Sequence, residues 1–195
     1  MSAVRSRTLV TADTSVVTDG ALFEAMAEGD LGALGSLFDR HHASVRGFLA
    51  RVLLGSADVD DLVQETFLTA SRTQPSFGEG ESAKAFLLGV AAQLARRRRR
   101  TFARLRAMLD RVSVVPAQPG RSPEDDALST ERSRLVTEAL AELSHEHREA
   151  LLLVDLGSLS GVEAAKALGV PPGTLWRRLH EARAELHARV RRRTR

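Results

Sequence analysis

Apolar residues recur along most of this chain at intervals of three and four, which is the spacing of one face of an α-helix. The segments 30–55, 56–72 and 82–105 each have this spacing, and the third changes from apolar to arginine-rich along its length. The first two stripes consist of Leu34, Leu37, Phe38, Val45, Phe48, Leu49 and Val52, and of Val59, Leu62, Val63, Thr66, Phe67 and Ala70. No segment alternates apolar and polar residues convincingly, as a half-buried strand does. The pattern predicts an all-α fold.

One stretch interrupts the helical pattern near the middle of the chain. Three prolines and one glycine lie between residues 116 and 123, and such clusters are typical of turns and linkers. We therefore expect two small helical domains, at residues 21–111 and 127–195, joined by a flexible linker at residues 112–126. Residues 1–20 resemble no secretion signal and are expected to form a disordered lead.

Capping residues divide the second domain into short helices. Ser122 followed by Pro123 predicts the start of a helix that runs to about Leu143, because serine caps helices and proline suits their first position. Ser144 is expected to cap the next helix, which ends at Gly157.

The last two helices are separated by a tight turn. Ser160 and Glu163 have the spacing of a capping box, Gly169 is expected to end the helix, and Pro171 lies just before a longer basic helix. The apolar stripe of that last helix is Leu175, Leu179, Ala182, Leu186 and Val190. This order is that of a helix-turn-helix, whose second helix enters the major groove of DNA. A plain amphipathic hairpin that ends a helical bundle is the alternative.

Several side chains of the last helix point away from its apolar stripe. Arg177 faces outward and is the stronger candidate for guanine, whereas Glu181 can accept a hydrogen bond from cytosine N4. Trp176, the only tryptophan of the chain, lies on a flank with His180 and Arg183. Its ring is expected either to pack at the rim of the domain or to lie against the DNA backbone.

Composition adds a preference for anionic partners. The net charge is only +3, but 26 of the 28 basic residues are arginine, with one run at residues 96–100 and eight arginines against two glutamates from residue 171 onward. Clustered guanidinium groups suit phosphate, although a solvated helix face has the same composition.

Other classes of protein fit the sequence poorly. The chain has no cysteine, and no apolar stretch is long enough to span a membrane, so a cytoplasmic protein without membrane insertion is expected. Its six histidines lack metal-site spacing, and there is no phosphate loop or nucleophile elbow. We expect neither an enzyme nor a cofactor.

Two motifs carry a family resemblance. The stretch LAELSHEHREALLLVDLGSLSGVEAAKALGVPPGTLWRRLHEARAEL resembles region four of the extracytoplasmic-function (ECF) sigma factors, and LFDRHHASVRGFLARVLLGSADVDDLVQETFLTA resembles their region two. The matched residues of region four include Leu140, Leu143, Arg148, Ser160, Glu163, Gly169, Gly173, Thr174, Arg178 and Ala182. The resemblance covers about residues 22 to 190, in the family's order, and implies a two-domain specificity subunit of bacterial RNA polymerase.

In this family the D-L-V-Q-E helix docks on the largest polymerase subunit. The resemblance assigns polymerase binding to Asp58, Asp61, Gln64, Glu65 and Leu68. Most of these lie three and four residues apart, on a face separate from the apolar stripe, as a docking surface requires. Acidic residues in a first helical turn are also favoured by the helix dipole, and both explanations can hold for Asp58.

Region two of the family also melts the minus-ten element and traps a flipped base. The corresponding residues here are Ser71, Arg72, Phe77, Phe86, Gln93, Arg96, Arg97 and Arg100. This chain departs from the family at Ser71 and Phe86, where tryptophan is common, and at Gln93, where asparagine is usual. Aromatic rings stack on unpaired bases, so the loss at Ser71 weakens the expectation of melting, and Phe86 fits the core better than a base platform.

For the minus-thirty-five element, the resemblance and the helix pattern assign Thr174, Trp176, Arg177, Arg178, His180, Glu181 and Arg183. Relatives usually have a small or basic residue at the position of Trp176 and often have arginine at that of Glu181. An unusual promoter preference is therefore expected.

The sequence as a whole predicts an alternative sigma factor. Its expected partners are bacterial core RNA polymerase, double-stranded promoter DNA, the melted minus-ten strand and an anti-sigma factor. Two alternatives remain open: a sigma-like decoy that sequesters an anti-sigma factor, and an ordinary dimeric helix-turn-helix regulator, in which the D-L-V-Q-E helix has no purpose.

Overall fold

The computed structural model describes residues 17–73, 75, 77, 82–109 and 131–193, and within these residues every regular element is helical. The helices are α1 (Asp19–Ala27), α2 (Leu31–Val52), α3 (Val59–Arg72), α4 (Ala83–Leu109), α5 (Glu131–Ala141), α6 (His145–Leu151), α7 (Gly161–Leu168) and α8 (Pro172–Arg193), with a π-helical turn at Leu152–Leu156 after α6. The all-α prediction is confirmed. The expected linker 112–126, most of the expected lead and the predicted helix start at Ser122 lie outside the described residues.

The N-terminal domain, α1 to α4, follows the predicted periodicity closely. The side chain of Asp30 accepts a hydrogen bond from the Gly32 amide at 2.7 Å and caps α2. The buried residues of α3 are Val59, Leu62, Val63, Thr66, Phe67 and Ala70, which are all six members of its predicted stripe. Helix α1 was not predicted, and it begins at Asp19, so the boundary expected at residue 20 falls inside a helix.

The C-terminal domain, α5 to α8, contains the predicted helix-turn-helix. Ser144 caps α6 through a 3.1 Å hydrogen bond from the amide of His147. Ser160 and Glu163 form the expected capping box at the start of α7, and Gly169 ends that helix in the left-handed conformation, at a φ of 65°. That conformation favours glycine because it has no Cβ. The short turn after Gly169 lets α8 cross α7.

The two domains pack against each other. Their buried apolar side chains form one continuous cluster, and α7 of the C-terminal domain lies directly on α4 of the N-terminal domain. At the crossing, Gly89 of α4 faces Ala167 of α7 so closely that a Cβ on Gly89 would lie 3.2 Å from the Ala167 Cα. Glycine at this position allows the two helix backbones to approach.

No helix in the described part of the chain combines the length and the apolar character that crossing a membrane requires.

Candidate polymerase and nucleic-acid interfaces

The outer face of α3 contains most of the predicted polymerase-binding residues. Asp61 and Gln64 are exposed, Glu65 is half-buried, and Leu68 leaves 50% of its surface open to solvent. Asp58 is more enclosed, because its carboxylate lies 3.2 Å from a guanidinium nitrogen of Arg98 on α4. The structure thus presents an acidic and apolar strip on α3.

A groove runs between α3 and α4 beside this strip. Its volume is about 740 Å³. One wall includes Glu65 and Leu68 together with Arg72 from α3, and the other includes Arg97 and Arg100 from α4. The predicted polymerase and minus-ten residues therefore meet at one surface, which changes from acidic to basic across the groove.

The predicted base platforms lie in an aromatic cluster. Phe77 and Phe86 are half-buried, and both rings contact the ring of Phe23, with centroids 5.1 and 5.7 Å away. Such edge-to-face and tilted ring pairs stabilise a core. Phe86 thus packs in the core, as the sequence favoured, and Phe77 packs beside it.

The surface outside these rings faces the C-terminal domain. A cavity of about 210 Å³ has Phe77, Phe86 and Gln93 on one side and Glu163 and Lys166 of α7 on the other. The hydroxyl of Ser82 in addition donates a hydrogen bond to the Glu163 carboxylate at 3.0 Å. In this arrangement α7 covers part of the predicted minus-ten surface.

The remaining minus-ten candidates differ in their surroundings. Arg72, Gln93, Arg97 and Arg100 are exposed, whereas the Ser71 hydroxyl donates to the Leu68 carbonyl within its own helix, at 3.0 Å. The exposed arginines are available for phosphate contact. All of these assignments to minus-ten DNA stay predictions.

Arg96 connects the two domains. Its guanidinium donates to the Leu168 carbonyl at the end of α7, at 3.0 Å. It also lies 3.6 Å from the Glu149 carboxylate, which is 1% exposed and has no hydrogen-bond partner among the described residues. The sequence assigned Arg96 to DNA, and that assignment stays a prediction; in the structure Arg96 lies beside a buried carboxyl group and donates to a helix terminus.

Arg148 makes a second connection that the sequence did not predict. The buried guanidinium donates to the carbonyl oxygens of Leu140, Ala141 and Leu143 at the end of α5, and to that of Val52 at the end of α2, all between 2.8 and 3.0 Å. Burial lowers the pKa of Arg148, and the nearby Arg99 charge lowers it further. One side chain therefore satisfies carbonyls at the ends of two helices, one in each domain.

Three of the predicted minus-thirty-five side chains are paired within the C-terminal domain. Arg178 lies 2.8 Å from the Glu146 carboxylate, and Glu181 lies 3.1 Å from the His147 imidazole. Arg183 forms a bidentate pair with Asp155, at 2.5 and 3.1 Å. These hydrogen bonds raise the pKa of Arg183.

The other candidates form the outward edge of α8. Trp176, Arg177 and His180 are exposed, and Thr174 is half-buried at the start of the helix. Successive helical residues are 100° apart, so residues 176, 177 and 180 lie within a sector of about 100°. They form the side of α8 that a DNA groove can meet, and their role in reading DNA stays a prediction.

The two histidines in the first turn of α6 differ from expectation. His145 and His147 were expected to be exposed, but their side chains are 7% and 17% exposed, respectively. His145 lies 3.2 Å from the Glu149 carboxylate, and His147 lies between Glu181 and Glu185. His145 and Glu149 are four residues apart on α6, a spacing that the sequence shows. The partners of His147 lie on α8, so no helical pattern could place them beside it.

Two helical domains, the second with a helix-turn-helix and an open recognition-helix edge, define a DNA-binding transcription protein. Comparison with known families gives the same class in finer detail. Residues 37–105 match the family model of Sigma-70 region 2, and residues 133–186 match that of Sigma-70, region 4.

Relatives extend this match over most of the chain. The chain is 32% identical to the RNA polymerase sigma factor CarQ of Myxococcus xanthus, over 84% of this chain and 92% of CarQ. It is 35% identical to the ECF RNA polymerase sigma factor SigC of Mycobacterium tuberculosis, over 93% of this chain and 95% of SigC. The chain belongs to the ECF sigma factors of the sigma-70 family and is thus a transcription initiation factor.

Solved structures agree with the fold. The sigma factor RpoE of Bartonella quintana, in complex with the anti-sigma factor NepR, is 27% identical, with a TM-score of 0.60 over 77% of this chain and 91% of RpoE. CnrH, in complex with the cytosolic domain of CnrY, is 26% identical, with a TM-score of 0.61 over 87% of this chain and 95% of CnrH.

Proposed function

We propose that this sigma factor docks on core RNA polymerase through the outer face of α3, contacts minus-ten DNA through α3 and α4, and binds the minus-thirty-five element through α8. Residues 21–111 and 127–195 are the two functional units, and 112–126 connects them. The factor acts in the cytoplasm, where the polymerase and the chromosome are, and catalyses no reaction of its own.

The observation that carries this proposal is the exposed strip on α3. Asp61, Gln64 and Leu68 are exposed on one helix whose opposite face is fully buried. A half-exposed leucine beside carboxylates contributes little to the stability of a free domain. It suits a partner helix that is basic and partly apolar, since an interface needs an apolar centre and a charged rim.

Simultaneous promoter contacts require the two domains to separate. The two promoter elements are about 25 base pairs apart, which is roughly 85 Å of B-DNA. Helices α4 and α7 are in direct contact in the structure. Residues 110–130, between α4 and α5, can span roughly 70 Å of that distance when fully extended. We therefore propose that polymerase binds a form in which α7 has left α4.

An anti-sigma factor is the proposed regulator. The solved relative from Bartonella quintana is bound to one, and CnrH is bound to a cytosolic domain of CnrY. A protein that holds the two domains of this chain together would keep the α3 strip and the α8 edge from acting at one promoter.

The experiment is run-off transcription with bacterial core polymerase on a library of genomic promoters. Wild-type protein should give a specific set of transcripts. Glu65→Lys should bind core polymerase at least tenfold more weakly and give no transcripts, because it puts a cation against a basic partner helix. Glu24→Lys, a charge reversal at an exposed position of α1, is the matched control and should behave as wild type.

The same assay separates the sigma-like decoy. Tight binding to core polymerase without any specific transcript would contradict the initiation role and favour a decoy, for which the serine at position 71 gives some support. Normal core affinity in Glu65→Lys would contradict the docking assignment.

A further inference from the structure

The ring of Trp176 rests on bare backbone at Gly161, the first residue of α7. A Cβ at Gly161 would lie 2.8 Å from the indole Cη2 and nearer still to Cζ2. Real Cβ atoms do not approach this closely, so the ring occupies the space that a side chain at Gly161 would need. Trp176 is thus fixed against the other helix of the helix-turn-helix while it remains 53% exposed.

The residue after Gly161 is a second exposed apolar side chain. Val162 follows Gly161 in the first turn of α7 and is 72% exposed. Trp176 and Val162, hereafter the Trp176–Val162 patch, therefore place exposed apolar surface near the starts of both helices. Neither residue is needed to fill the core beneath, which Ala164, Ala165 and Leu175 occupy.

Two exposed polar side chains adjoin Trp176, on the side of α8 that the proposed function turns toward the groove. Arg177 and His180 are exposed beside Trp176, whereas Arg178 and Arg183 are held by carboxylates of the same domain. An apolar group is therefore placed directly next to the outward arginine of the recognition helix.

The chemistry of the major groove offers one apolar group, the C5 methyl of thymine. Phosphate and the edges of the other bases present charges, donors and acceptors instead, and Val162 can satisfy none of these. A rigid aromatic edge is suited to bury that methyl, and the exposed isopropyl group of Val162 follows the glycine on which the ring rests.

We infer that the Trp176–Val162 patch reads the methyl group of a thymine in the minus-thirty-five element, with Gly161 holding the indole ring in position. This inference rests on the proposed function, in which α8 enters the major groove. It makes Trp176 a specificity-determining residue and Gly161 a positioning residue that never touches DNA.

The test uses holoenzyme, the full chain bound to core polymerase, and a 60-base-pair promoter duplex in which eight positions of the minus-thirty-five region are randomised. Duplexes bound by wild-type holoenzyme should be enriched in thymine at one or two positions. Trp176→Ala should lose enrichment at a thymine position and keep the others, whereas Trp176→Phe should retain part of it.

The second arm replaces that thymine with deoxyuridine, which lacks only the methyl group. Wild-type holoenzyme should bind the uridine duplex roughly fourfold more weakly, which corresponds to one buried methyl group. Trp176→Ala should bind the two duplexes equally. Equal binding by the wild type, or an equal loss on uridine substitution in Trp176→Ala, would overturn the inference.

Gly161→Ala tests the positioning role, because its new methyl group displaces the ring without reaching DNA. It should show the same reduced sensitivity to uridine as Trp176→Ala. Gly173→Ala is the matched control in the same unit, since its Cβ would meet nothing within 4 Å, and it should retain wild-type discrimination. If Gly161→Ala discriminates as the wild type does, Gly161 does not position the ring.

Different results would contradict the minus-thirty-five function of α8 and the assignment of Trp176 to a thymine methyl. No enriched duplex for any variant, including the wild type, would remove the proposed minus-thirty-five function itself. In the other case, Arg177→Ala changes the enriched sequences and Trp176→Ala does not. The minus-thirty-five function would then stand, and the assignment of Trp176 to a thymine methyl would be wrong.

Discussion

The guanidinium of Arg148, in the C-terminal domain, donates a 3.0 Å hydrogen bond to the carbonyl oxygen of Val52, the last residue of α2 in the N-terminal domain. The same side chain donates to three carbonyls at the end of α5. Arg148 thus stabilises its own domain and, through one additional bond, the contact between the domains.

Replacing Arg148 with methionine should lower the free energy of unfolding by about 3 kcal/mol, because buried carbonyl oxygens lose their donor. The stability of Arg148→Lys should lie between that of the wild type and that of Arg148→Met, since one ammonium group cannot reach all four acceptors. Urea unfolding measures the effect. Arg51→Met is the control. Arg51 is exposed and donates to the Gly47 carbonyl within its own helix, so its loss should change stability by less than about 0.5 kcal/mol. An equal effect in both variants would show that the buried contacts of Arg148 with the helix ends contribute no special stability.

Arg96→Ala should separate the domains. The variant loses the hydrogen bond to Leu168 and one of the basic groups beside the buried Glu149, which keeps His145 at 3.2 Å. This should weaken the closed arrangement by about 2 kcal/mol. Small-angle X-ray scattering should then give a larger radius of gyration than for the wild type. Arg97→Ala removes an exposed arginine from the same run and should leave the scattering unchanged. Identical curves for all three proteins would contradict a role of Arg96 in closure.

Gly89→Leu should have the same effect by steric means. Its Cβ meets the backbone of Ala167 at 3.2 and 3.3 Å, so a larger side chain pushes α7 from α4, at a cost of about 1–3 kcal/mol. The chain has no cysteine, so dyes can be attached to cysteines introduced at the exposed positions Glu24 and His187. Energy transfer between them should fall in Gly89→Leu.

Gly35→Leu is the control for that experiment, because nothing lies within 4 Å of its Cβ position on α2. It should keep wild-type energy transfer. A decrease in both variants would indicate a general loss of structure instead of displacement at the α4–α7 contact.

Helix periodicity was sufficient to predict most of the fold but not how the helices meet. The α3 stripe is buried as predicted because every residue of that helix faces either the core or solvent at regular spacing. Helix α1 was missed, since only Leu22 and Phe23 of its nine residues are buried, and two adjacent residues do not establish a period.

The tertiary contacts of the polar residues could not be predicted from the sequence for a related reason. Five successive arginines cover every side of a helix, so the pattern could not show that Arg96 faces the Leu168 carbonyl. The partners of Arg148 are backbone carbonyls, which no sequence motif encodes. Likewise, the position of Trp176 depends on Gly161, in the preceding helix of the helix-turn-helix.

Glu163 should make stability depend on pH. Burial raises its pKa, but hydrogen bonds from the Ser160 amide and hydroxyl and the Ser82 hydroxyl, together with the Lys84 charge, lower it to a net value below the ordinary one. The carboxylate therefore contributes stability above the pKa of the unfolded chain, about 4.3, and this contribution is lost as the pH falls through the lower folded-state pKa.

Glu163→Gln should therefore be less stable than the wild type by about 1 kcal/mol at pH 7. Glutamine can still complete a capping box, but it has one acceptor oxygen, so the charge is lost together with one of the hydrogen bonds from Ser160 and Ser82. The difference should shrink as the pH falls below about 4.3. Urea unfolding of both proteins at pH 7, 5, 4 and 3 measures it, and other titrating groups cancel in the difference. A difference that stays constant down to the lowest pH would show that the charge of Glu163 is not involved.

Arg177 and Arg183 should respond differently to truncation although both are basic residues of α8. Arg177 is exposed, so Arg177→Ala should weaken promoter binding by roughly 1–3 kcal/mol and relax specificity at one position. Arg183 is held by Asp155 at 2.5 Å, so Arg183→Ala should change affinity less and without dependence on sequence. Binding of holoenzyme to single-base variants of a selected promoter distinguishes these outcomes. A uniform loss for Arg177→Ala would mean a phosphate contact, and sequence discrimination would then have to come from Trp176 and His180, the other exposed residues of the same edge.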